Sequence, residues 1–443
     1  MTKNYPRVLI CNATALHKGS GTAITLCNLF QNYPRDKMAL LSSDRMSADV
    51  SVCKNSWQLK ASTNSMIAFF RNIAEYYSKN SIIKNDSSNN ETNKKIVLRP
   101  QISNSYVSSL LHGYGDCLTN LCHRMSLDCW RWLDEFQPEI IYTMLGSTQY
   151  CKLSIAISKK YKIPIAPHVT DDWYNARFAD NPFLSIPRII FRHQFRKVYK
   201  RANLGIAFSD LMAQEYQKEF HVPHTVIMNI SSNIVEKLPN QEWSKNRPFR
   251  FVYIGGLHMN RWTSIRDIGQ ALVNLHQKGI LAELIIHCPE LEYQVYSKSF
   301  PKSPIIKFGG TLITSEIDNA IDDSDMPIHV ESFDKQSRKE TRLSVSTKIP
   351  TYFSRGKAIF AYGPPEVASC QYIASTQSGI VVTEENIERL SDELLKIIND
   401  EKKRTKLAEN AWETAKKEHS VDVINERLRS VLCQAVENGV GLI

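Results

Sequence analysis

Short apolar segments bounded by turn residues alternate along the chain with longer segments of helical periodicity. This order of strand, helix, strand predicts parallel sheets with helical crossovers. The pattern weakens between Asn55 and Arg131, and the polar residues 79–95 (KNSIIKNDSSNNETNKK) predict a mobile insertion. The strands predicted in the N-terminal half are Arg7 to Asn12, Ile140 to Met144, Ile163 to Val169, Leu204 to Phe208 and Thr225 to Met228.

The same alternation restarts after an aperiodic, polar segment at 231–248, where we place a linker over 236–248. We therefore divide the chain into a domain over 1–235, a second domain over 249–419, and a last helix over 420–443 that could pack back on the first domain. The strands predicted in the second half lie within Phe249 to Gly256, Glu283 to Cys288, Ile305 to Phe308, Met326 to Val330, Ala358 to Tyr362 and Gly379 to Val382.

The predicted fold class is therefore α/β, with two doubly wound Rossmann-like domains. Such sheets bind ligands beyond the carboxyl ends of their strands. Two of them facing across a cleft could hold two substrates at once.

Length and composition narrow the function classes. A chain of 443 residues is too long for one core, and no apolar stretch approaches the roughly 20 residues needed to span a bilayer. The N-terminus MTKNYPRVLICN has no signal-peptide core and the ten cysteines include no Cys-x-x-Cys, so we expect a cytoplasmic protein. A net charge of +10 suits nucleic acid, anionic lipid or a phosphorylated small molecule.

The most informative segment is 346–366, STKIPTYFSRGKAIFAYGPPE, which predicts a short helix followed by a buried strand. Its helix opens with Ser346, Thr347 and Lys348 and ends at Gly356. Free backbone N–H groups, two hydroxyls and a cation at a helix N-terminus are what a diphosphate needs.

This segment resembles the motif S-x-K-I-P-E-Y-L-A-x-G-K-P-V-L-A of GT-B glycosyltransferases, especially those similar to glycosyltransferase family four. Residues 255–261, GGLHMNR, resemble the G-x-L-x-x-x-R segment of the same enzymes. The resemblance implies a nucleotide-diphosphate sugar as co-substrate and retention of anomeric configuration. Arg261 and Lys348 would both be catalytic, because two cations around one diphosphate stabilise the leaving group. Since they can replace a metal ion there, we expect no metal and no other cofactor.

Further donor contacts follow from the resemblance. Glycines would let backbone approach the donor at Gly19 and Gly21, at Gly255 and Gly256, and at Gly309 and Gly310. Tight turns without ligand contact remain the alternative at these glycines. Glu331 follows a strand on the donor side, and Thr351 stands where the family usually has a Glu that bonds the donor ribose. That departure puts donor affinity in doubt.

The N-terminal half offers candidates for the acceptor side. His17 lies in the first glycine-rich loop, and the apolar strand ending at Val169 turns abruptly polar with Asp171, Asp172 and Trp173. His168 and Asp171 are the catalytic candidates here, with His17, Asp172 and Trp173 on the acceptor side. The alternative is a core histidine and an aspartate that caps the next helix.

Residues 186–201, IPRIIFRHQFRKVYKR, predict a basic amphipathic helix with Arg188, Arg192, Arg196 and Lys200 four apart. Such a helix could contact an anionic membrane and bring the protein to a lipid-linked sugar. A packing helix with a solvated basic side explains the pattern equally well.

These features predict a glycosyltransferase that moves a sugar to an acceptor hydroxyl, on a saccharide or lipid-linked saccharide, in bacterial surface polysaccharide or glycolipid synthesis. It would act in the cytoplasm or at the inner face of the cytoplasmic membrane. A nucleotide-sugar 2-epimerase and a non-catalytic nucleotide-sugar-binding protein of the same architecture remain open. No nucleic acid is expected as a partner, because the basic residues lack a recognisable reading motif.

Overall fold

The computed structural model describes residues 4–17, 20–44, 46–59, 110, 113–116, 125–179, 181–231, 233–240 and 246–439. It confirms the predicted α/β class, with one sheet of seven strands and another of six. Gly19 and the predicted insertion 79–95 lie outside the described residues.

The first sheet has the strand order β3-β2-β1-β4-β5-β6-β7. Its strands are β1 Val8–Cys11, β2 Met38–Ser42, β3 Ser56–Gln58, β4 Ile140–Met144, β5 Ile165–Val169, β6 Gly205–Ala207 and β7 His224–Val226. Strand β1 pairs in parallel with both β2 and β4. Because β1, β2, β4 and β5 are buried along their whole length, they are continuous apolar runs rather than alternating ones.

Serine is the most frequent N-cap residue among the described helices of this half. Ser20, Ser126 and Ser147 each accept a hydrogen bond from a backbone N–H of the first helical turn. The helices are α1 Gly21–Phe30, α2 Leu127–Phe136, α3 Thr148–Tyr161, α4 Trp173–Ala176, α5 Ser185–Tyr199 and α6 Asp210–Phe220.

Two strands of the first sheet, β2 and β3, were absent from the sequence-based prediction. Strand β2 is a five-residue apolar run that follows a 3₁₀ turn at Arg35–Lys37, without a glycine to mark its start. Strand β3 has only three residues, of which two are exposed. Strand β3 is too short and too exposed for periodicity to distinguish it from a loop, whereas β2 has the length and burial of β4 and was recognisable as a buried apolar run.

The second sheet has the order β10-β9-β8-β11-β12-β13. Its strands are β8 Phe249–Ile254, β9 Ala282–His287, β10 Ile306–Phe308, β11 Met326–Val330, β12 Ile359–Tyr362 and β13 Gly379–Val382. The helices that follow are α7 Arg261–Gln277, α8 Glu290–Tyr296, α9 Thr314–Asp322, α10 Lys335–Thr341, α11 Lys348–Ser354, α12 Ala368–Ser375, α13 Ile387–Asn399, α14 Glu401–Thr414 and α15 Val421–Gly439. The chain order therefore reverses between β8 and β11, which lie side by side.

The chain divides into two compact units. One comprises residues 1–206, 216–224 and 429–443, and the other comprises 207–215 and 225–428. Part of the predicted linker packs on the second unit, since Leu238 contacts its core and the Val235 carbonyl accepts a hydrogen bond of 2.8 Å from Trp412 Nε1.

The core of the second unit is built on the aromatic side chains of β8 and β12. Phe251 is fully buried between Phe249 and Phe360, with ring centroids 5.0 and 6.0 Å away. We expect Phe251→Ala to lower the free energy of unfolding by about 3–5 kcal/mol, because it leaves a cavity that the sheet cannot close. Denaturant unfolding measures this; Leu281→Ala, at a half-exposed position, is the control and should change stability by less than about 0.5 kcal/mol.

Candidate active site

The reversal of strand order between β8 and β11 creates a crevice at the carboxyl ends of these strands. Gly255 and Gly256 follow β8 directly, and Glu331 follows β11. Helix α7 begins at Arg261, and α11 begins at Lys348. The topology thus brings the two resemblance-derived segments, 255–261 and 346–351, to the same edge of one sheet.

Gly255 is required by the position of Lys348. Its φ of +150° is a conformation that residues with a Cβ rarely adopt, and a Cβ built at Gly255 would collide with Lys348 Nζ. The lysine side chain therefore crosses the glycine turn directly above the backbone. This contact places the ammonium directly beside the turn that follows β8.

Arg261 forms an ion pair with Glu331. Its Nη2 lies 3.2 Å from Oε2, and the exposed fractions of the two side chains are 17% and 2%. Burial opposes ionisation of both groups, but the neighbouring His329 ring and Arg261 guanidinium hold the pKa of Glu331 below its usual value. The pKa of Arg261 is raised in turn, because the Glu331 carboxylate outweighs the cost of burial. Both groups are therefore charged at neutral pH.

His329 is a member of this cluster that sequence reasoning missed. Its Nε2 lies 3.3 Å from Glu331 Oε1, and burial lowers its pKa, so that the ring is neutral at pH 7. The alternation of residues along strand β11 could have predicted it. Met326, Ile328 and Val330 point into the core, and alternation therefore places His329 on the same face as Glu331.

Lys348 carries a half-buried charge with no carboxylate partner in the part of the chain that the structure describes. Its Nζ lies 5.3 Å from the centroid of the Tyr253 ring, whose hydroxyl donates a 2.6 Å hydrogen bond to the Gly256 carbonyl. Burial, together with the neighbouring Arg261, lowers the pKa of Lys348 to about 8. Glu331 and Glu292 both attract this ammonium at longer range, but neither forms an ion pair with it, and an anion binding here would give it a direct partner.

The other predicted residues of α11 occupy its first turn. Thr347 is the exposed N-cap residue, and Ser346 accepts a weak hydrogen bond of 3.4 Å from the Lys348 N–H through its hydroxyl. Thr351 donates its hydroxyl to the Thr347 carbonyl at 3.5 Å. That hydroxyl is therefore engaged within the helix, one turn from its N-terminus.

Gly309 and Gly310 end strand β10, as predicted. Gly310 has a φ of +77°, and a Cβ on Gly309 would collide with the imidazole of His287. Gly256 is similarly close to the ring of His258. Local packing therefore accounts for Gly256 and Gly309, and backbone conformation accounts for Gly310, whether or not a ligand approaches them.

In the first unit, His17 is buried and its Nε2 lies 2.9 Å from Asp44 Oδ2. The Ala15 N–H and His17 hold the pKa of Asp44 below its ordinary value despite partial burial, which keeps the carboxylate ionised. Gly21 opens α1, and the space where its Cβ would lie is empty. The φ of Gly21 is not positive either, so neither packing nor backbone conformation requires a glycine at this position.

His168 is fully buried within β5. Its Nδ1 lies 2.6 Å from the hydroxyl of Tyr142 on the neighbouring strand β4, and the two rings meet edge to face. This is the environment that the core-histidine alternative describes. A catalytic role for His168 stays a prediction.

The acidic residues after β5 have different surroundings. Asp172 is 5% exposed and accepts hydrogen bonds of 3.0 Å from both Tyr216 Oη and Asn175 Nδ2, which anchors it structurally. Asp171 accepts a 3.2 Å hydrogen bond from Thr170 and is more accessible. Trp173 lies 5.9 Å from the Arg177 guanidinium.

A charged cluster beside β4 was not predicted. Asp116 accepts hydrogen bonds from Ser147 Oγ at 3.1 Å and from the Thr148 N–H at 3.2 Å, and it lies 3.6 Å from Arg177. Arg177 also donates to the Gly146 carbonyl. No local sequence motif predicts this cluster, because its residues come from three segments that are far apart in the sequence.

Helix α5 matches the predicted basic helix at 186–201, but the surroundings of its apolar face differ from the membrane contact considered there. The apolar residues Phe191, Phe195, Val198 and Tyr199 are buried inside the unit and so cannot face a membrane. Two of the basic residues also contact protein, since the Arg192 guanidinium stacks 4.2 Å from the Tyr174 centroid and Arg188 donates to the Asn175 carbonyl at 3.3 Å.

Comparison with known proteins identifies the fold of the chain. The sequence matches no family model and no curated protein. HepE from Anabaena, solved in complex with UDP, superposes with a TM-score of 0.60 at 13% identity over 97% of this chain and 100% of HepE. Sucrose-phosphate synthase from Thermosynechococcus elongatus gives 0.59 at 9% identity, over 98% and 100% of the two chains.

A third structure is WaaG, described as a glycosyltransferase involved in lipopolysaccharide biosynthesis. It has a TM-score of 0.54 and 11% identity, with 96% of this chain and 98% of WaaG covered. These full-length similarities show that the chain has the GT-B fold of glycosyltransferases, as the sequence resemblance predicted. None of the helices in the described ranges is long and apolar enough to cross a membrane.

The electrostatics of Lys348 generate a prediction for stability. Its folded-state pKa of about 8 lies below the ordinary 10.5, so the ammonium destabilises the fold fully below pH 8, and this cost disappears as the pH rises toward 10.5. We expect Lys348→Met to raise the free energy of unfolding by about 1–2 kcal/mol at pH 7 and to lose this advantage by pH 10.5.

Denaturant unfolding of the two proteins across this pH range measures the effect. Lys348→Arg keeps the charge and is the matched control, which should show no gain. A Lys348→Met protein that is less stable than the wild type at pH 7 would show that the ammonium is not an uncompensated charge.

Proposed function

We propose that the chain is a glycosyltransferase that moves a sugar from a nucleotide-diphosphate-sugar donor to an acceptor hydroxyl. The observation that carries the proposal is the pair of cations, Arg261 and Lys348, held at the carboxyl edge of the second sheet, where Arg261 is paired with Glu331 and Lys348 forms no ion pair within the described residues. An incoming diphosphate supplies an anionic partner for the Lys348 ammonium. The GT-B fold supports the same conclusion.

In the proposed reaction the bond between the anomeric carbon and the donor diphosphate breaks, and charge develops on the leaving phosphate oxygen. Arg261 offers a planar fork of N–H donors, while Lys348 offers a compact charge over the Gly255 turn. Both stabilise this oxygen more strongly as its charge grows, which lowers the barrier. The exposed hydroxyl of Thr347 would add a further donor, whereas the Ser346 N–H is already engaged with Ser369 Oγ at 3.0 Å.

Glu331 is proposed to orient Arg261 rather than to bind the phosphates, since a carboxylate would repel them. Its backbone carbonyl accepts a 2.9 Å hydrogen bond from Ser264 Oγ, which fastens the end of β11 to α7. The guanidinium is thereby held in one orientation before the donor arrives. Such preorganisation reduces the ordering that binding would otherwise require.

The first unit would supply the acceptor side. Asp171 is the more accessible carboxylate after β5, whereas Asp172 is anchored by Tyr216, so Asp171 is the better candidate for orienting or deprotonating the acceptor hydroxyl. The acceptor would be a saccharide or lipid-linked saccharide in bacterial surface polysaccharide or glycolipid synthesis, with the enzyme at the inner face of the cytoplasmic membrane. Retention of configuration and independence from metal ions belong to the same proposal.

HepE, also solved with UDP-glucose, supports a uridine nucleotide as the first donor to test. We expect UDP to raise the thermal midpoint of the wild-type protein, because a ligand of the native state stabilises it by mass action. Arg261→Met and Lys348→Met should each reduce UDP affinity at least tenfold, the effect of losing a charge-assisted hydrogen bond of about 1.5–3 kcal/mol. Leu281→Ala, which lies on the surface of the same unit, is the control.

Stabilisation by another nucleotide diphosphate instead of UDP would keep the site and change its base. No response to any nucleotide diphosphate, with or without magnesium, would argue against a donor site here.

The pH dependence of UDP binding tests the role of Lys348 separately. Only the protonated ammonium attracts the diphosphate, and its pKa in the unliganded protein is about 8. We therefore expect UDP affinity to fall about five- to tenfold between pH 7 and pH 9 in the wild type. Lys348→Arg should flatten this profile because arginine stays charged; an equally steep profile in that variant would assign the titration to another group.

A further inference from the structure

One exposed face of helix α5 differs from the face that packs on the protein. Residues spaced three and four apart lie on one side of a helix, and those of α5 that point to solvent form a continuous line with the preceding 3₁₀ turn, Pro182–Leu184. We call this line the exposed stripe; in order it contains Phe183, Ile186, Ile189, His193, Arg196, Lys197 and Lys200.

The first half of the exposed stripe is apolar. Phe183, Ile186 and Ile189 are 64%, 58% and 68% exposed. Single exposed apolar residues are ordinary on protein surfaces, but three large ones in consecutive turns form a patch. Tyr114, itself 40% exposed, donates a 2.9 Å hydrogen bond to the Phe183 carbonyl and adds an amphipathic ring beside the patch.

The second half of the exposed stripe is basic. Lys197 and Lys200 form no ion pair with any carboxylate in the described ranges. Arg196 lies 3.6 Å from Glu219, and both side chains are about half exposed, so the pair contributes little and is easily exchanged. His193 is exposed between the two halves. The stripe thus changes from apolar to cationic along the helix axis rather than across it.

The opposite face holds α5 rigidly in place. Phe191 meets Phe195 edge to face, Phe195 stacks on Tyr199, and the Tyr199 ring stacks on that of Phe220 with centroids 4.0 Å apart. The apolar patch is therefore not a core surface left open by a displaced helix. It is presented at a fixed orientation by a helix whose own core contacts are complete.

We propose that the exposed stripe docks on the surface of an anionic lipid bilayer. Phe183, Ile186 and Ile189 insert among the acyl chains near the headgroups, while Arg196, Lys197 and Lys200 lie against lipid phosphates. At 1.5 Å per residue the two halves are separated by roughly 15–20 Å, so the helix lies nearly parallel to the surface. A nucleic acid fits only the basic half, since it offers nothing to three exposed apolar side chains.

This surface involves none of the donor-site residues, so the inference does not depend on glycosyl transfer. The sequence suggested a membrane contact through the apolar face of α5. Because that face is buried, the proposal assigns the inserted residues to the exposed stripe instead. The UDP response of each variant, measured in parallel, separates a failure of docking from a failure of the proposed function.

Sedimentation with vesicles tests the proposal. The probes are vesicles of phosphatidylcholine alone and of phosphatidylcholine with 30% phosphatidylglycerol. We expect the full-length protein to bind only the anionic vesicles. The Lys197→Gln/Lys200→Gln variant should lose about fivefold in partitioning for each charge at low salt, roughly 25-fold in total. Lys298→Gln/Lys302→Gln, at exposed lysines of the other unit, is the charge-matched control and should bind as the wild type.

The apolar half needs a separate variant. Phe183→Ser/Ile186→Ser/Ile189→Ser should still be recruited at low salt but should lose at least tenfold of the binding that survives 0.5 M salt, where screening removes the electrostatic contribution. Leu291→Ser/Val295→Ser removes an equally exposed apolar pair elsewhere and is the control. Because all these side chains are exposed, the variants should fold and respond to UDP as the wild type.

Three outcomes would overturn the proposal. One is that the wild-type protein fails to bind anionic vesicles. Another is that the serine variant binds as tightly as the wild type at high salt, which would show that a surface other than Phe183, Ile186 and Ile189 enters the bilayer. The third is that the stripe variants lose binding to RNA or to an acidic protein while vesicle binding is unchanged, which would assign the surface to that partner.

Discussion

The repulsion between two cations, Arg261 and Lys348, is the interaction that the edge of the second sheet must accommodate. They approach each other in a partly desolvated crevice, where like charges repel more strongly than in water. Glu331 pairs with Arg261, and Glu292 attracts both cations from a greater distance, yet burial and the neighbouring arginine still lower the pKa of Lys348. The rest of the fold must supply the stability that this buried ammonium costs.

The sheet makes the cluster possible. Because β8 and β11 are neighbours that lead to opposite halves of the sheet, the residues after them face a crevice instead of a packed crossover. Backbone hydrogen bonding and the aromatic core beneath fix β8, so the glycine turn and the first residue of α7 have little freedom. The residues of the proposed donor site thus lie on loops whose positions are set by buried strands.

The sequence predicted the fold class and the helix and strand of the segment 346–366, for identifiable reasons. The apolar run of β12 and the helix opening at Lys348 are local patterns, and local patterns can be recognised without knowing the structure. Strand β3 escaped because it is short and exposed, whereas β2 is a buried apolar run of the same length as β4 and was missed. The cluster of Asp116 and Arg177 escaped because its members are far apart in sequence. The apolar face of α5 was recognised, but periodicity cannot say whether protein or lipid covers such a face.

The side chain of the lysine at position 348 ends in the space that a Cβ at position 255 would need. Any residue other than glycine at 255 would have to push this flexible side chain aside and would also adopt a strained backbone conformation. Among homologous sequences, a side chain at position 255 should therefore be found with a shorter residue at position 348 or with a lysine that has turned away from the turn. The constraint runs in one direction, because a change of the lysine leaves the glycine free to stay.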